Sequence, residues 1–392
     1  MRVPGFLANG ISAGIKENGK RDLSLIYSEV PARVAGVFTT NRFKAAPVLV
    51  DEERIKGGIA QAIIINSGNA NAVTGKKGYE GALAMARAVS EEMGIDEKLV
   101  LVASTGIIGE RFPIKKIVRN VERLIEGLSA DGIPSAEEGI MTTDKFPKIE
   151  CRKCSIEGKE ITICGIAKGA GMIEPNMATM LSFIMTDAEI GHGCMDGIFR
   201  EVIDKSFNAI TVDGCMSTND TVIILANGIA GNRPIEQSSK NVAVFGDTLS
   251  DVMVPLAKSI VRDGEGATKL IEIVVERARK VEEAKDLAYA VANSNLVKTA
   301  FFGEDPNWGR IMSAIGSRGI PFSIDSVELY FDDVPLFING EGRKDVGDRL
   351  SAIMKKDTIR VVIRVGMGEE SFQLYTSDLS YDYIKCNALY HS

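Results

Sequence analysis

Short hydrophobic runs of strand length dominate the beginning of the chain. Residues 23–28, 34–39 and 48–50 are rich in apolar and β-branched side chains and lie among glycines. Residues 62–65, with the sequence AIII, form another such run, and the turn-rich sequence NSGN follows them directly. Runs of this length and composition, bounded by turn residues, are typical of strands. The pattern therefore predicts a β-rich opening.

Helical spacing of apolar residues begins further along the chain. Leu83, Ala86, Val89 and Met93 recur at intervals that place them on one helix face, and Gly94 predicts the end of that helix. A second helix is predicted to begin at Pro113, and Ser135, three residues before Glu138, is typical of the capping box of a third. Further helical patterns cover residues 195–207, 249–261, 281–292 and 309–315.

Strand patterns return between the helical segments. Residues 148–156 and 161–167, joined across 157–159, predict a hairpin, residues 180–185 predict a buried strand, and the tail from Val327 is mostly strand-like. Long helices between antiparallel-looking strands favour a layered α+β architecture over a doubly wound parallel sheet. No repeat, low-complexity tract or polar linker marks a domain boundary.

Length and charge narrow the class of protein. At about 100 to 200 residues per domain, 392 residues predict two or three domains or one large one. Lys+Arg 46 against Asp+Glu 53 gives a net charge of −7, so the chain lacks the basic surface of a general nucleic-acid binder. No apolar run approaches the roughly 18 residues of a membrane span, and the N-terminus lacks the apolar core of a secretion signal. We therefore expect a cytoplasmic protein with no membrane partner.

The cysteines and histidines restrict the chemistry further. In a reducing compartment the six cysteines are expected to be free thiols. Cys151 and Cys154 resemble half of a zinc site, but no second pair follows and only His192 and His391 could complete it, so we expect no metal. The same scarcity of histidine argues against a histidine general base in any acyl-transfer reaction.

The most unusual stretch has the sequence KGAGMIEPNMATML, at residues 168–181. A lysine, turn-forming residues and a proline precede Ala178 and Thr179, and an apolar strand begins directly after them. If the peptide bond before Thr179 were held bent, the Thr179 hydroxyl could attack the Ala178 carbonyl, and water could then cut the resulting ester. The new α-amino group, with an ordinary pKa of about 7.7 to 8.0, could accept the proton of its own hydroxyl. The alternative is a plain loop that enters a core strand, with Thr179 as a β-branched filler.

Residues 168–181 strongly resemble the self-cleavage motif of the ornithine acetyltransferase (glutamate N-acetyltransferase) family of arginine biosynthesis. Six other blocks agree with that family in order and spacing: NSGNANA at 66–72, STGIIG at 104–109, MTTD at 141–144, TVDG at 211–214, STNDT at 217–221 and DPNWGR at 305–310. The resemblance extends from one end of the chain to the other.

The resemblance implies a transferase that moves acetyl from N2-acetylornithine to glutamate through an acetyl-threonine intermediate, by ping-pong kinetics. It implies an α/β/α-like layered fold, similar to N-terminal-nucleophile hydrolases but differently connected. It also implies cleavage between Ala178 and Thr179 into an alpha chain, 1–178, and a beta chain, 179–392, assembled as α2β2. No bound cofactor is implied, although part of the family also uses acetyl-CoA as a donor substrate.

The family's functional residues transfer to matching positions of this sequence. Thr179 is the nucleophile, and Thr105 and Gly106 form the oxyanion hole. The substrate contacts fall on Thr142, Lys168, Thr179, Glu265, Asn387 and Ser392. Lys168 and Glu265 carry opposite charges, which suits a substrate with a carboxylate at one end and an ammonium at the other.

Two alternatives remain at the level of sequence. One is an aminopeptidase of related fold, in which water replaces glutamate as the acetyl acceptor. The other is a metabolite-binding protein that retains the loop without activity. Scission between Ala178 and Thr179 separates the enzymes from the binding protein, and formation of N-acetylglutamate separates the transferase from the aminopeptidase.

Overall fold

The computed structural model describes residues 1–174, 180–238, 240–343 and 347–389. The chain divides into two compact units, Met1–Asn208 with Cys215–Ile260, and Ala209–Gly214 with Val261–His391. The boundary after Ile260 lies inside a helix, so no linker composition marks it in the sequence. Cleavage after residue 178 would be a different division of the chain from these compact units.

The described residues form fifteen strands, numbered in chain order. They are β1 Phe6–Ile11, β2 Leu23–Phe38, β3 Ile59–Asn69, β4 Val100–Ile107, β5 Lys148–Ile156, β6 Lys159–Lys168, β7 Leu181–Thr186, β8 Ile210–Thr211, β9 Thr221–Ala226, β10 Leu270–Ala278, β11 Glu328–Phe331, β12 Val334–Ile338, β13 Glu341–Gly342, β14 Thr358–Arg364 and β15 Glu370–Ser377.

The described residues also form twelve α-helices. They are α1 Ala46–Arg54, α2 Gly75–Met93, α3 Ile114–Val118, α4 Val121–Glu126, α5 Ile133–Ile140, α6 His192–Lys205, α7 Asn241–Arg262, α8 Val281–Ala292, α9 Asn295–Phe302, α10 Trp308–Gly316, α11 Gly347–Met354 and α12 Tyr381–Leu389.

The first unit is built on an eight-stranded sheet with the order β4-β3-β2-β9-β7-β6-β5, and β1 pairs with β2. The β3–β4 and β7–β9 pairs are parallel, and the other pairs are antiparallel. Apolar side chains alternate between the two faces of the sheet, as the period of two in a strand requires. Leu25 and Ile64 face a cluster that includes α1 to α4, whereas Ile26 and Ile63 face a cluster that includes α5. Helices on both faces confirm the predicted layered α+β class.

The second unit is built on a seven-stranded sheet with the order β13-β12-β11-β14-β10-β15-β8. The β10–β14 and β15–β8 pairs are parallel, and the others are antiparallel. One face of this sheet packs against α8, α9, α10 and α11 through a cluster of buried aliphatic and aromatic side chains. The bounds predicted for α8, residues 281–292, agree with the structure.

Three local predictions are wrong. Residues 48–50 are not a strand but lie in α1, where Pro47 occupies the first turn and Val48 and Val50 are buried. The helix predicted from Pro113 is two short helices, α3 and α4. Ser135 does not cap α5: Gly132 is the N-cap residue, and the Ser135 hydroxyl donates to the Gly132 carbonyl at 2.8 Å from within the helix.

The cysteine prediction is also wrong for one pair. Cys151 on β5 and Cys164 on β6 form a disulfide, and their Cα atoms are 4.1 Å apart. They lie directly opposite each other because the hairpin turns at Glu157 and Gly158, which both have positive φ, 51° and 78°. Such a two-residue turn fixes the register of the whole hairpin. Cys154 and Cys194 are free thiols.

Among the described residues, none of the helices combines the length and the hydropathy that a membrane crossing requires.

Candidate active site

Lys168, the last residue of β6, lies between two threonine hydroxyls. Its side chain is buried, with the residue only 3% exposed. The Lys168 Nζ donates to Thr142 Oγ1 at 2.7 Å and to Thr105 Oγ1 at 3.3 Å. The structure therefore brings together three residues that the sequence resemblance assigned to one site, although they lie on separate segments of the first unit.

Asp144 supplies the negative charge beside these residues. Its Oδ1 accepts from Lys148 Nζ at 2.7 Å in an ion pair with no exposed side-chain surface, and from the Gly169 amide at 2.7 Å. Its Oδ2 accepts from the Thr142 amide at 2.8 Å. Burial alone would raise the pKa of Asp144, but the positive charges of Lys168 and Lys148 hold that pKa below its ordinary value. Asp144 therefore stays ionised and supplies a buried negative charge beside the two lysine side chains.

Thr105 and Gly106 lie at the end of β4, where its parallel pairing with β3 becomes irregular. Asn69 pairs with Thr105 and also with Ile107, so the register shifts around Gly106. Gly106 has φ 132°, and a Cβ at this position would lie 2.3 Å from the Gly68 carbonyl carbon. Only glycine fits such a backbone. Irregularities of this kind re-aim backbone and side-chain groups and are frequent beside active sites.

Three of the sequence blocks that carried the family resemblance meet at this sheet end. The Asn219 amide donates to the Ala70 carbonyl at 2.6 Å and to the Ser104 carbonyl at 2.8 Å. The Ser104 hydroxyl in turn donates to Asn66 Oδ1 at 2.6 Å. Blocks 66–72, 104–109 and 217–221 are therefore joined by buried hydrogen bonds. Their side chains fix the backbone that presents Thr105.

Asp220 is a buried acid that sequence reasoning did not single out. Its Oδ1 accepts from the Met180 amide at 3.0 Å, and Met180 directly follows Thr179 in the chain. No described residue hydrogen-bonds to its Oδ2, and the residue has 0% exposure. Burial raises the pKa of Asp220 well above its ordinary value. Burial therefore favours the neutral acid form of Asp220 over the carboxylate.

Substitutions at Asp220 are expected to separate its two roles as acceptor and acid. Asp220→Ala should lower the free energy of unfolding by about 1–3 kcal/mol, because the buried Met180 N–H loses its acceptor. Asp220→Asn keeps an oxygen at that position and should cost less than about 1 kcal/mol. Urea denaturation of both variants in a Thr179→Ala background, where one chain unfolds, measures the difference. Equal losses in the two variants would contradict the assigned contact.

In the second unit, the structure brings together two other residues that the resemblance assigned to substrate binding. The Asn387 amide, on α12, donates to Glu265 Oε2 at 2.9 Å and to the Tyr383 carbonyl at 3.0 Å. The neighbouring Gly266 has φ 70°, and a Cβ there would lie 2.3 Å from the Tyr383 amide nitrogen. A glycine at this position is what lets α12 approach the Glu265 turn.

The remaining predicted site residues, Ala178, Thr179 and Ser392, lie outside the described residues. Sequence reasoning missed four charged residues in or beside this site: Asp144, Lys148, Asp220 and Lys16. Asp144 and Asp220 belong to the MTTD and STNDT blocks, so their place in those blocks was the available signal. A buried lysine also requires a buried counter-charge, and Asp144 supplies one here.

Comparisons with known proteins show the family of the chain. The model of the ArgJ family matches residues 7–392. The arginine biosynthesis bifunctional protein ArgJ of Geobacter sulfurreducens is 49% identical over 393 residues and is covered completely, as is this chain. The protein of the same name from Caldanaerobacter subterraneus subsp. tengcongensis is 47% identical, with 99% of this chain and 97% of that protein covered. The crystal structure of the arginine biosynthesis bifunctional protein argJ from Bacillus halodurans is 38% identical, with a TM-score of 0.52 over 54% of this chain and 100% of that chain.

Proposed function

Because the chain belongs to the ArgJ family, we propose that it transfers the acetyl group of N2-acetylornithine to L-glutamate. Family membership makes it an acetyltransferase of arginine biosynthesis, as the sequence resemblance predicted. The observation that supports the proposed reaction most directly is the buried contact of Lys168 with Thr105 and Thr142, since it assembles separate family motifs around one cation.

The proposed reaction begins with scission of the chain. The Thr179 hydroxyl attacks the Ala178 carbonyl, the acyl group moves from nitrogen to oxygen, and water hydrolyses the ester. The freed α-amino group then accepts the proton when the Thr179 oxygen attacks the acetyl carbonyl of N2-acetylornithine. Ornithine leaves with a proton on its amine. The amine of glutamate next attacks acetyl-Thr179, and N-acetylglutamate leaves as the threonine regains its proton.

Lys168 prepares the two threonine hydroxyls as donors. An ammonium group can only donate, so both Thr105 Oγ1 and Thr142 Oγ1 must accept from it, and each hydroxyl retains its own hydrogen for another acceptor. In the proposed mechanism the Thr105 hydroxyl and the Gly106 N–H donate to the oxyanion that forms on the acetyl carbonyl. One such donor typically contributes about 10²–10³-fold to turnover.

Charge accounts for the proposed substrate contacts. Lys168 lies beside Asp144 and donates to Thr142, so the Lys168 ammonium and the Thr142 hydroxyl together offer donors to an anionic group. We assign the α-carboxylate of the substrate to Lys168 and Thr142. Glu265, supported by Asn387, is assigned to the side-chain ammonium of N2-acetylornithine, and Ser392 to a further substrate contact.

Product analysis tests the proposal. The purified protein is incubated with N2-acetylornithine and glutamate, with and without acetyl-CoA, and the products are separated by mass. Equal amounts of ornithine and N-acetylglutamate are expected. Ornithine without N-acetylglutamate would favour the aminopeptidase, and an uncut chain without products would favour a binding protein. N-acetylglutamate formed from acetyl-CoA and glutamate alone would establish a second activity, and the names of the relatives include the word bifunctional.

The proposal includes the assembly and location of the enzyme. The two fragments are proposed to remain together as an α2β2 assembly in the cytoplasm. Analytical ultracentrifugation of the cleaved protein measures the assembly directly.

Removing residues 386–392 is expected to abolish acetyl transfer while scission continues. The deletion removes Asn387 and its hydrogen bond to Glu265, together with Ser392, but leaves residues 168–181 intact. Intact mass and product formation are measured on the same sample. Lys385→Ala, which removes only an exposed pair with Asp382, is the control and should retain transfer. A truncated protein with unchanged steady-state kinetics would contradict the substrate role of this tail.

A further inference from the structure

The loop between β1 and β2 is held in a fixed shape by one buried carboxylate. Asp22, with 0% exposure, accepts from the amides of Ala13 at 2.6 Å, Ile15 at 2.6 Å and Lys16 at 2.9 Å. Three backbone donors on one carboxylate are among the stronger hydrogen-bond arrangements in proteins. The backbone that carries Lys16 is therefore built into the first unit rather than left free.

This loop places the Lys16 side chain beside the candidate active site. A Cβ on Gly68, which pairs with Gly106, would lie 3.1 Å from Lys16 Cγ, so the lysine stem packs against the irregular end of the sheet. The Lys16 Nζ donates to the Arg21 carbonyl at 2.7 Å and to the Met141 carbonyl at 2.7 Å. An ammonium group has three N–H donors. No described residue accepts the third N–H of Lys16. Met141, whose carbonyl accepts one of the other two, directly precedes Thr142 in the chain.

A cavity of about 360 Å³ opens at this ammonium. Its charged lining residues are Lys16, Lys20, Arg21, Glu138 and Asp144, and Thr142 lies among them. The Glu138 carboxylate is already paired with Arg21 at 2.9 Å, and Asp144 is paired with Lys148. The cavity is therefore large enough for a small amino acid, and both carboxylates in its lining are already paired with other cations than Lys16 and Lys20.

The two proposed substrates of the ping-pong reaction carry opposite charges at the ends of their side chains. The side chain of N2-acetylornithine ends in an ammonium, whereas that of glutamate ends in a carboxylate. A carboxylate that attracts the first repels the second, so the acceptor needs a cation of its own. On the basis of the proposed function, we propose that Lys16 binds the side-chain carboxylate of glutamate and thereby selects the acetyl acceptor.

The titration of Lys16 supports this assignment. Burial is the main cause that lowers the pKa of Lys16 to about 8; the charges of Lys168 and Lys20 act in the same direction, and those of Asp22 and Asp144 oppose it. The ammonium is thus present below pH 8 and is lost as the pH rises through that value. The KM for glutamate should accordingly increase above pH 8 in the unmodified enzyme and should lose this dependence in Lys16→Met.

Pre-steady-state kinetics test the proposal, because the two half-reactions can be measured separately. Ornithine release on forming acetyl-Thr179 reports the first, and transfer to glutamate or to glutamine reports the second. Lys16→Met is expected to raise the KM for glutamate at least tenfold and to reduce the preference for glutamate over glutamine by a similar factor. Its effect on ornithine release should be below threefold, and Lys16→Arg should recover most of the preference.

Lys116→Met is the matched control. Lys116 also donates to a carbonyl of this loop, that of Gly14, at 2.6 Å, but it does not line the cavity. The KM of Lys116→Met for glutamate should therefore stay within twofold of that of the unmodified enzyme. If Lys16→Met does not fold, Lys16→Gln replaces it as the variant in which the KM and the preference are measured. Unchanged discrimination between glutamate and glutamine in either variant would overturn the assignment. Absence of an ornithine burst in the unmodified enzyme would instead refute the proposed function itself.

Discussion

Thr179→Ala is expected to yield one uncut chain of 42.3 kDa with no acetyl transfer. Alanine lacks the hydroxyl that would attack the Ala178 carbonyl, so neither the ester nor the free α-amino group can form. Without that amine the described site contains no histidine that could serve as the base. Intact mass spectrometry and a product assay on the same preparation measure both consequences.

Thr179→Ser is the matched variant. It retains a hydroxyl and, after scission, an α-amino group, so slow cleavage and reduced transfer are expected. Edman sequencing should find a second N-terminus beginning at residue 179 in the unmodified protein. Transfer activity in Thr179→Ala, or full activity in a protein that shows only the Met1 terminus, would refute the assignment of the nucleophile.

Lys168→Met is expected to have the second largest effect, a fall in kcat/KM of about 10²–10³-fold, because both threonine hydroxyls lose the donor that orients them. The side chain is buried, and methionine fills a similar volume. Asp144 keeps its ion pair with Lys148, so the variant should still fold. Acetyl transfer per folded molecule is the quantity to measure.

Lys148→Met provides the contrast. It removes the fully buried partner of Asp144 at 2.7 Å, and breaking such a pair typically costs about 3–5 kcal/mol of unfolding free energy. Lys148 contacts neither threonine hydroxyl through a described hydrogen bond, so its main effect should be on stability. Equal stability losses in the two variants, with wild-type kcat/KM in Lys168→Met, would show that Lys168 is only structural.

Local patterns predicted those parts of the fold that depend on local forces. The limits of α8 and the hairpin around Glu157 and Gly158 followed from periodicity and turn chemistry, as expected where neighbours in sequence decide the structure. Residues 48–50 failed because β-branched side chains suit a buried helix face as well as a strand. The disulfide could have been predicted from this hairpin, because its register places Cys151 opposite Cys164.

The candidate site was predictable only where motifs carried it. Thr105, Thr142 and Lys168 came from the family resemblance, and the structure brings them together. Lys16 could not be found this way, because its contact with the Met141 carbonyl joins residues 125 positions apart. Single-sequence spacing carries no information about such a distance, so the charge environment of the site had to come from the three-dimensional structure.

The strand order of the first sheet has a consequence for maturation. β7 and β9, which follow residue 179, lie between β2 and β6, which precede it. Separating the fragments would therefore break the hydrogen bonds between β2 and β9 and between β6 and β7. Both fragments would then expose unpaired strand edges, which favours aggregation. A sheet in which strands of both fragments lie between one another forms most readily while the chain is still uncut. Folding should accordingly precede the cut, and separately produced halves should complement each other poorly.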